Sequence, residues 1–277
     1  MRNIKFIEMK IIKYFIIIIC LTIVSCKNKT SEKEGKSKME VEENNNKEKT
    51  KNIFVVKTII FSKDSLPISA DIYEVDSKKP TILLCHQAGF SRGEYKETAL
   101  ELMNLGFSSI AIDQRSGNEA NGVLNETAQK AKEKGLPTNY LDAKQDIEAA
   151  INYIYEMNGQ QPIILVGSSY SATLALLIGK DSEKVLKIAA FSPGEYFKGV
   201  SIREEIKNLT KPTFVTSSKK EAEKLTEMMS LTNPVFTEQF IPKAEGIHGS
   251  RALWQTTAGN QEYWDVFKIF LQKKGIN

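Results

Sequence analysis

Short hydrophobic runs recur along the chain from Ile53 to the C-terminus, and polar stretches separate them. The first two runs, IFVVKTIIF and LPISADIYEV, flank the polar residues Ser62–Ser65 and predict a pair of antiparallel strands. The later runs predict further strands, at Pro80–His86, Phe107–Asp113, Pro162–Gly167, Leu186–Ser192, Pro212–Ser218 and Val235–Ile241.

Helical segments are predicted between most of these later strands. They are expected near Gly93–Leu105, near Tyr140–Glu156, directly after Ser169, near Lys220–Ser230 and in a terminal stretch that ends near Lys273. A long polar loop is expected over Ser116–Asn139, ahead of the second helix. Continuous apolar strands that alternate with helices are typical of a mainly parallel sheet covered on both faces. The sequence therefore predicts one α/β domain, without internal repeats.

The N-terminus has the pattern of an export signal. Arg2, Lys5, Lys10 and Lys13 precede the apolar run Tyr14–Val24, which is too short for a comfortable membrane span of about 20 residues. The run ends in Ile-Val-Ser-Cys, which resembles the lipobox of bacterial lipoproteins. This resemblance implies cleavage after residue 25 and lipidation of Cys26. A plain secretory signal and an uncleaved anchor are the alternatives.

The segment after Cys26 is highly charged and has almost no apolar residues. Lys27–Asn52 cannot bury enough surface to order itself, so we expect residues 26–52 to be a disordered tether. Residues 53–277 would then form the folded domain. This organisation predicts a lipoprotein of the cell envelope, exported and held at a membrane through Cys26, with the domain on the periplasmic side or the outer surface.

Charge and cysteine content exclude several other classes of protein. The predicted signal peptide carries four Lys or Arg and one Glu, so its removal lowers the formal net charge from +4 to +1 and leaves no reason to expect a nucleic-acid partner. Cys20 lies in the signal, Cys26 would be lipidated, and Cys85 lies in an apolar strand. No cysteine pair remains for a disulfide or a metal site, and we expect no metal or organic cofactor.

One strand-to-helix junction carries a candidate nucleophile. The stretch Gly167-Ser-Ser-Tyr-Ser171 follows an apolar run, and Ser169 has the spacing of a nucleophile on a tight turn, although a serine stands where G-x-S-x-G has its last glycine. A serine hydroxyl needs a base. The chain has only two histidines, and His248 follows the last predicted strand, between Gly246 and Gly249.

The order of these elements and motifs resembles the α/β-hydrolase fold, in its compact esterase and dienelactone-hydrolase-like branch without a large lid. The resemblance implies Ser169 as the nucleophile and His248 as the base. It also implies that the residues after the third strand, His86-Gln-Ala-Gly89, form an oxyanion loop, with His86 bracing the loop. Backbone N–H donors are then expected from Gln87 and Tyr170, and Ala88 replaces Gln87 if the loop bends one residue later.

The acid of the triad is the least defined member. By chain order it lies between Ser169 and His248, where the only aspartate is Asp181, at the far end of the nucleophile helix and roughly 15 Å or more away. The acid is therefore expected to be a glutamate. The usual position in the family, after the seventh strand, corresponds to Glu221, and Glu195 and Glu223 are the alternatives.

Taken together, the sequence predicts a lipid-anchored serine hydrolase that cleaves small carboxylic esters through an acyl-enzyme on Ser169. A peptidase or a thioesterase on the same scaffold would use the same residues. A binding lipoprotein without catalytic activity is a further alternative.

Overall fold

The computed structural model describes residues 54–273 and one short strand nearer the N-terminus. In chain order the strands are β1 (Lys36–Lys38), β2 (Phe54–Phe61), β3 (Pro67–Tyr73), β4 (Ile82–Cys85), β5 (Ser109–Ile112), β6 (Glu119–Ala120), β7 (Val123–Leu124), β8 (Ile163–Ser168), β9 (Val185–Phe191), β10 (Thr213–Thr216) and β11 (Thr237–Phe240). All but β6 and β7 join one sheet, in the order β1-β2-β3-β5-β4-β8-β9-β10-β11.

The sheet is mainly parallel, which confirms the predicted fold class. The strands β5, β4, β8, β9, β10 and β11 run parallel to one another, whereas β1, β2 and β3 pair in an antiparallel way at one edge and β3 is antiparallel to β5. The predicted hairpin is confirmed, because β2 and β3 pair from Val55 opposite Tyr73 to Phe61 opposite Pro67. Each later predicted strand is also found, with ends that differ by a few residues.

Helices cover both faces of this sheet. They are α1 (Lys96–Asn104), α2 (Glu126–Glu133), α3 (Lys144–Met157), α4 (Tyr170–Gly179), α5 (Ile202–Glu205), α6 (Ala222–Met229) and α7 (Asn260–Gln272). On one face α3, α4 and α6 pack on side chains such as Leu83 and Leu165. On the other face α1 and α7 pack on side chains such as Leu84 and Val166. Adjacent strand residues therefore enter opposite cores, which explains the continuous apolar runs.

Two segments differ from the sequence prediction. The expected loop Ser116–Asn139 contains the β6–β7 hairpin and helix α2, which Asn125 caps by accepting the Ala128 N–H at 2.7 Å. Helix α2 buries only small or polar residues, such as Ala128 and Ala131, so its sequence lacks the apolar periodicity that predicts a helix. The short helix α5 was also not predicted.

The N-terminal predictions fall mostly outside the described residues. Residues 1–35 and 39–53, which contain the predicted signal peptide, Cys26 and most of the tether, are not described, so those assignments stay predictions. Lys36–Lys38 differ from the predicted disorder, since β1 pairs with the edge strand β2. Backbone pairing at a sheet edge needs no apolar side chains. No helix in the described part of the chain combines the length and apolar character that crossing a bilayer requires.

Candidate active site

The predicted catalytic side chains meet at the carboxyl ends of the parallel strands. Ser169 directly follows β8, Glu221 ends a short 3-10 turn after β10, and His248 lies in the connection between β11 and α7. Because parallel strands end at the same edge, segments that are distant in the sequence are brought together there.

A strained turn lifts Ser169 above the sheet. Its backbone has φ 58° and ψ −122°, a conformation that non-glycine residues rarely adopt. Gly167 makes the turn possible, since a Cβ at this position would lie 2.4 Å from the carbonyl oxygen of Ser171 and 2.6 Å from the Cα of Ala172. The junction thus has the geometry of a nucleophile elbow.

Ser171 occupies the position of the missing glycine and uses its hydroxyl to tie the elbow to the neighbouring strand. Its Oγ lies 2.7 Å from the Cys85 carbonyl oxygen and 2.8 Å from that of His86, and it accepts the Ser168 N–H at 3.1 Å. A buried hydroxyl with these partners is fully hydrogen-bonded. The serine is therefore compatible with the tight turn and adds a link to the end of β4.

The three predicted triad residues form one continuous hydrogen-bonded chain. The Ser169 Oγ lies 2.8 Å from His248 Nε2, and His248 Nδ1 lies 2.5 Å from Glu221 Oε1. Ser169 is 8% exposed, so the nucleophile is at the protein surface but largely shielded from water. This arrangement allows His248 to take the serine proton while Glu221 holds the other ring nitrogen.

Hydrogen bonds keep the Glu221 carboxylate ionised. Burial alone would raise its pKa, but the contacts with His248 and Ser218 outweigh that effect and lower the pKa to about 2. Its Oε2 accepts the Ser218 N–H at 3.1 Å, the Ser218 hydroxyl at 2.7 Å and the Ser192 hydroxyl at 3.1 Å. A carboxylate anchored in this way can orient an imidazole and stabilise its positive charge.

The alternative acids have other partners. The Glu195 carboxylate accepts the backbone N–H groups of Ile202 and Arg203, at 2.7 and 3.0 Å, and so caps α5. Glu223 is exposed on α6. Among the three glutamates considered, only Glu221 contacts the imidazole.

The structure corrects the prediction that the Gln87 N–H is an oxyanion donor. That N–H donates to the buried Glu94 carboxylate at 2.7 Å and cannot also face a substrate. The bend comes one residue later, in a turn closed by the Phe90 N–H and the Gln87 carbonyl at 3.2 Å. The Ala88 N–H has no acceptor among the described residues, which makes it the candidate donor in place of the Gln87 N–H.

The second predicted donor fits its position. Tyr170 is the first residue of α4, and the first N–H groups of a helix have no partner within the helix. The Tyr170 N–H belongs to the residue after the nucleophile, where it can face an oxygen attached to the carbon that Ser169 attacks.

His86 is buried and fixes the direction of the Ala88 N–H. Its Nε2 accepts the Gln114 backbone N–H at 3.0 Å, so the ring proton is on Nδ1, which donates to the Gln87 carbonyl at 2.8 Å. Because the peptide unit is planar, holding this carbonyl sets the direction of the Ala88 N–H on the opposite side. Burial lowers the His86 pKa to about 4, so the ring is neutral near pH 7 and braces the loop.

Tyr196 and Glu94 are two further residues near the nucleophile. The Tyr196 hydroxyl donates to the Ser192 carbonyl at 2.9 Å; burial raises its pKa, and a hydrogen bond with Ser169 opposes that rise. The sequence did not point to Glu94, because a glutamate in a charged stretch is usually solvated. The described residues contain no cluster of side chains able to hold a metal ion.

The Glu221 geometry predicts how acid affects stability. Since the folded state lowers the pKa from 4.5 to about 2, ionised Glu221 stabilises the fold above about pH 4.5, and this contribution is lost as the pH falls towards 2. Urea unfolding should therefore show a larger stability difference between wild type and Glu221→Gln at pH 6 than at pH 3. Glu223→Gln controls for removing a negative charge nearby. Equal differences at both pH values would contradict this prediction.

Comparison with solved structures supports the fold. An esterase from Pyrococcus furiosus is 17% identical, with a TM-score of 0.61 over 79% of this chain and 91% of the other. A dienelactone hydrolase from Anabaena variabilis is 10% identical, with a TM-score of 0.61 over 79% and 96%. An acylaminoacyl peptidase from Pyrococcus horikoshii is 14% identical, with a TM-score of 0.60 over 81% of this chain and 43% of the other. At these identities the likeness concerns the fold alone.

Sequence comparison assigns the family. No curated protein matches the sequence significantly. Residues 76–235, more than half of the chain, match the family described as serine aminopeptidase, S33. The matched region contains Ser169 and Glu221, and His248 follows it. The chain therefore belongs to the serine aminopeptidase S33 family and is a serine hydrolase with the α/β-hydrolase fold.

Proposed function

We propose that the protein hydrolyses small carboxylic esters through an acyl-enzyme on Ser169. The observation that carries the proposal is the hydrogen-bonded chain from Ser169 through His248 to Glu221, at the end of a parallel sheet. In this role Ser169 is the nucleophile, His248 is the general base and Glu221 orients the imidazole.

Acylation begins when the Ser169 Oγ attacks the ester carbonyl carbon. The hydroxyl proton passes to His248 Nε2 as the new C–O bond forms, and Glu221 stabilises the resulting imidazolium. The carbonyl oxygen becomes negatively charged and accepts hydrogen bonds from the Ala88 and Tyr170 N–H groups. Each such donor contributes roughly 10²–10³ in rate.

Release of the two products follows the same path. The imidazolium gives its proton to the departing alkoxide as the ester C–O bond breaks, which leaves the acyl group on Ser169. Water then attacks the acyl carbon while His248 takes one of its protons. The imidazolium returns that proton to the Ser169 Oγ as the acyl C–O bond breaks, which releases the carboxylic acid and restores the free enzyme. No cofactor takes part in either half-reaction.

Peptide hydrolysis is the second candidate, and the family description as serine aminopeptidases favours it. A thioesterase would use the same groups. We favour esters because an alkoxide is a better leaving group than an amide anion, so ester cleavage depends less than amide cleavage on protonation of the leaving group by His248. The third alternative, a binding lipoprotein without activity, conflicts with membership of a serine hydrolase family.

The proposed location is the cell envelope, with the protein exported and anchored in a membrane by lipid on Cys26. The support is the N-terminal sequence alone: a basic start, a short apolar run and Ile-Val-Ser-Cys. The charged residues between Cys26 and β1 would separate the lipid from the hydrolase domain.

A fluorophosphonate probe should label the purified domain at Ser169, as mapped by mass spectrometry, because the activated serine attacks the phosphorus centre. Ser169→Ala should abolish labelling, whereas Ser168→Ala should retain it. In matched acyl series, esters should be turned over faster than thioesters and amides. Labelling together with faster cleavage of aminoacyl amides would replace the esterase proposal by the peptidase one.

Glu221→Gln should lower kcat by roughly 10²–10⁴, because an amide cannot hold the imidazole in the same tautomer or balance its charge. Glu195→Gln is the matched control, since that carboxylate caps α5 and should leave kcat within about twofold. Steady-state kinetics of the two variants with one ester shows which glutamate is the acid of the triad. A larger loss for Glu195→Gln would reassign the acid.

Lipidation at Cys26 can be tested in bacteria that express the full chain. An alkynyl fatty acid should become attached to the protein, and the protein should fractionate with membranes. Cys26→Ser should lose both the label and the membrane association, whereas Cys20→Ser should keep them. Retained label in Cys26→Ser would refute the proposed anchor.

A further inference from the structure

Glu94 is a fully buried carboxylate in the 3-10 turn Arg92–Tyr95, which follows the oxyanion loop. Its Oε2 accepts the Gln87 N–H at 2.7 Å. Its Oε1 accepts the hydroxyls of Ser168 at 2.7 Å and Ser250 at 2.6 Å. The Ser168 Oγ in turn accepts the Ser250 N–H at 2.8 Å, which closes a small buried network.

Each of the three donors neighbours a group of the proposed mechanism. Gln87 precedes the oxyanion donor Ala88, Ser168 precedes the nucleophile, and Ser250 lies two residues after the catalytic histidine. One side chain therefore joins the three segments that carry the oxyanion donor, the nucleophile and the base. No other carboxylate in the described part of the chain accepts hydrogen bonds from all three of these segments.

Stability alone does not account for a carboxylate at this position. Glu94 forms no salt bridge within the described residues, although the charge of Arg251 also lowers its pKa. Burying a carboxylate without a paired charge is costly even when it is hydrogen-bonded. Burial raises its pKa, while the hydrogen bonds with Ser250, Gln87 and Ser168 oppose that rise. Buried groups with such perturbed environments concentrate at functional sites.

We propose that Glu94 is a positioning residue that holds the oxyanion loop so that the Ala88 N–H faces the reacting carbonyl oxygen. This inference rests on the proposed function, since it assumes that a tetrahedral intermediate forms on Ser169. Glu94 itself does not touch the substrate.

The physical argument follows from the backbone of Gln87. Glu94 holds its N–H, while His86 Nδ1 and the Phe90 N–H hold its carbonyl oxygen. With both polar groups of one residue held, neither adjoining peptide plane can rotate freely, and the Ala88 N–H keeps one direction. Without Glu94 the Gln87 N–H has no buried acceptor, and a rotation that seeks one would turn the Ala88 N–H away.

A graded pair of substitutions tests this role. Glu94→Leu removes every acceptor, so kcat for an ester should fall about 10²-fold while KM stays within about threefold, because the oxyanion forms only after binding. Glu94→Gln keeps one carbonyl oxygen for the Gln87 N–H, so kcat should fall less than in Glu94→Leu, by about threefold to tenfold. A phenylboronic acid, which adds to Ser169 as a tetrahedral adduct, should lose affinity in parallel with kcat.

Matched controls separate positioning from folding and from failure of the proposed function. Glu97→Gln, an exposed glutamate on the following helix, should leave kcat, KM and boronate affinity unchanged, and thermal unfolding checks that each variant is folded. Should Glu94→Leu not fold, Glu94→Gln and Ser250→Ala still decide, since each should lower kcat and boronate affinity and their combination should cost less than the product of the separate losses.

The inference is overturned if the folded variants keep wild-type kcat and boronate affinity, or if KM rises while kcat is unchanged. A wild-type protein that binds the boronate at Ser169 but cleaves no ester would instead refute the proposed ester substrate. In that case, the boronate affinities of the variants still measure the role of Glu94.

Discussion

The backbone conformation of Ser169 is the constraint on which the rest of the site depends. A non-glycine residue at φ 58° and ψ −122° costs about 1–3 kcal/mol, and it persists only where its surroundings leave no alternative. Here the Ser169 N–H donates to the Phe191 carbonyl at 2.8 Å, and its own carbonyl accepts the Ala172 N–H at 2.9 Å. The strand on one side and the helix on the other therefore hold the turn between them, and the hydroxyl points out of the sheet.

Serine hydroxyls hold the other two triad residues in relation to this turn. The Ser192 hydroxyl contacts the Glu221 carboxylate at 3.1 Å and accepts the Gly249 N–H at 2.9 Å, so it joins the acid to the histidine loop. A hydroxyl can donate one hydrogen bond and accept two, so one small side chain can link the two loops. These hydrogen bonds therefore help to hold the loop that carries the imidazole.

The sequence revealed the fold and most of the site because those features rest on patterns that are local. Apolar runs marked each strand of the parallel sheet, and the scarcity of histidines pointed to His248. The Gln87 N–H was expected to be an oxyanion donor but binds Glu94 instead, because the loop bends in a turn where Gly89 has φ 75°. Helix α2 was not predicted because its buried face carries small residues and therefore shows no apolar periodicity.

Glu94 shows a different limit of sequence reasoning. Arg92, Lys96 and Glu97 lie within three positions of it, so the local pattern favours a solvated surface position. The residues that surround it, Ser168 and Ser250, come from segments 74 and 156 positions away, and only the folded sheet brings them together. A buried carboxylate with two of its three hydrogen-bond partners this far away in the sequence leaves no periodic signal.

The substitution at position 171 and the carboxylate at position 94 are parts of one arrangement. A glycine at 171 would allow helix and strand to approach closely but could not hold the end of β4, whereas the Ser171 hydroxyl contacts the carbonyls of both Cys85 and His86. Glu94 takes the next N–H along, that of Gln87. Consecutive backbone groups of the oxyanion loop are thus tied, one after another, to the nucleophile turn. In this arrangement the helix and the strand pack less closely than a glycine at position 171 would allow. The hydrogen bonds that replace this contact have fixed directions, and such bonds are needed to orient a single N–H donor.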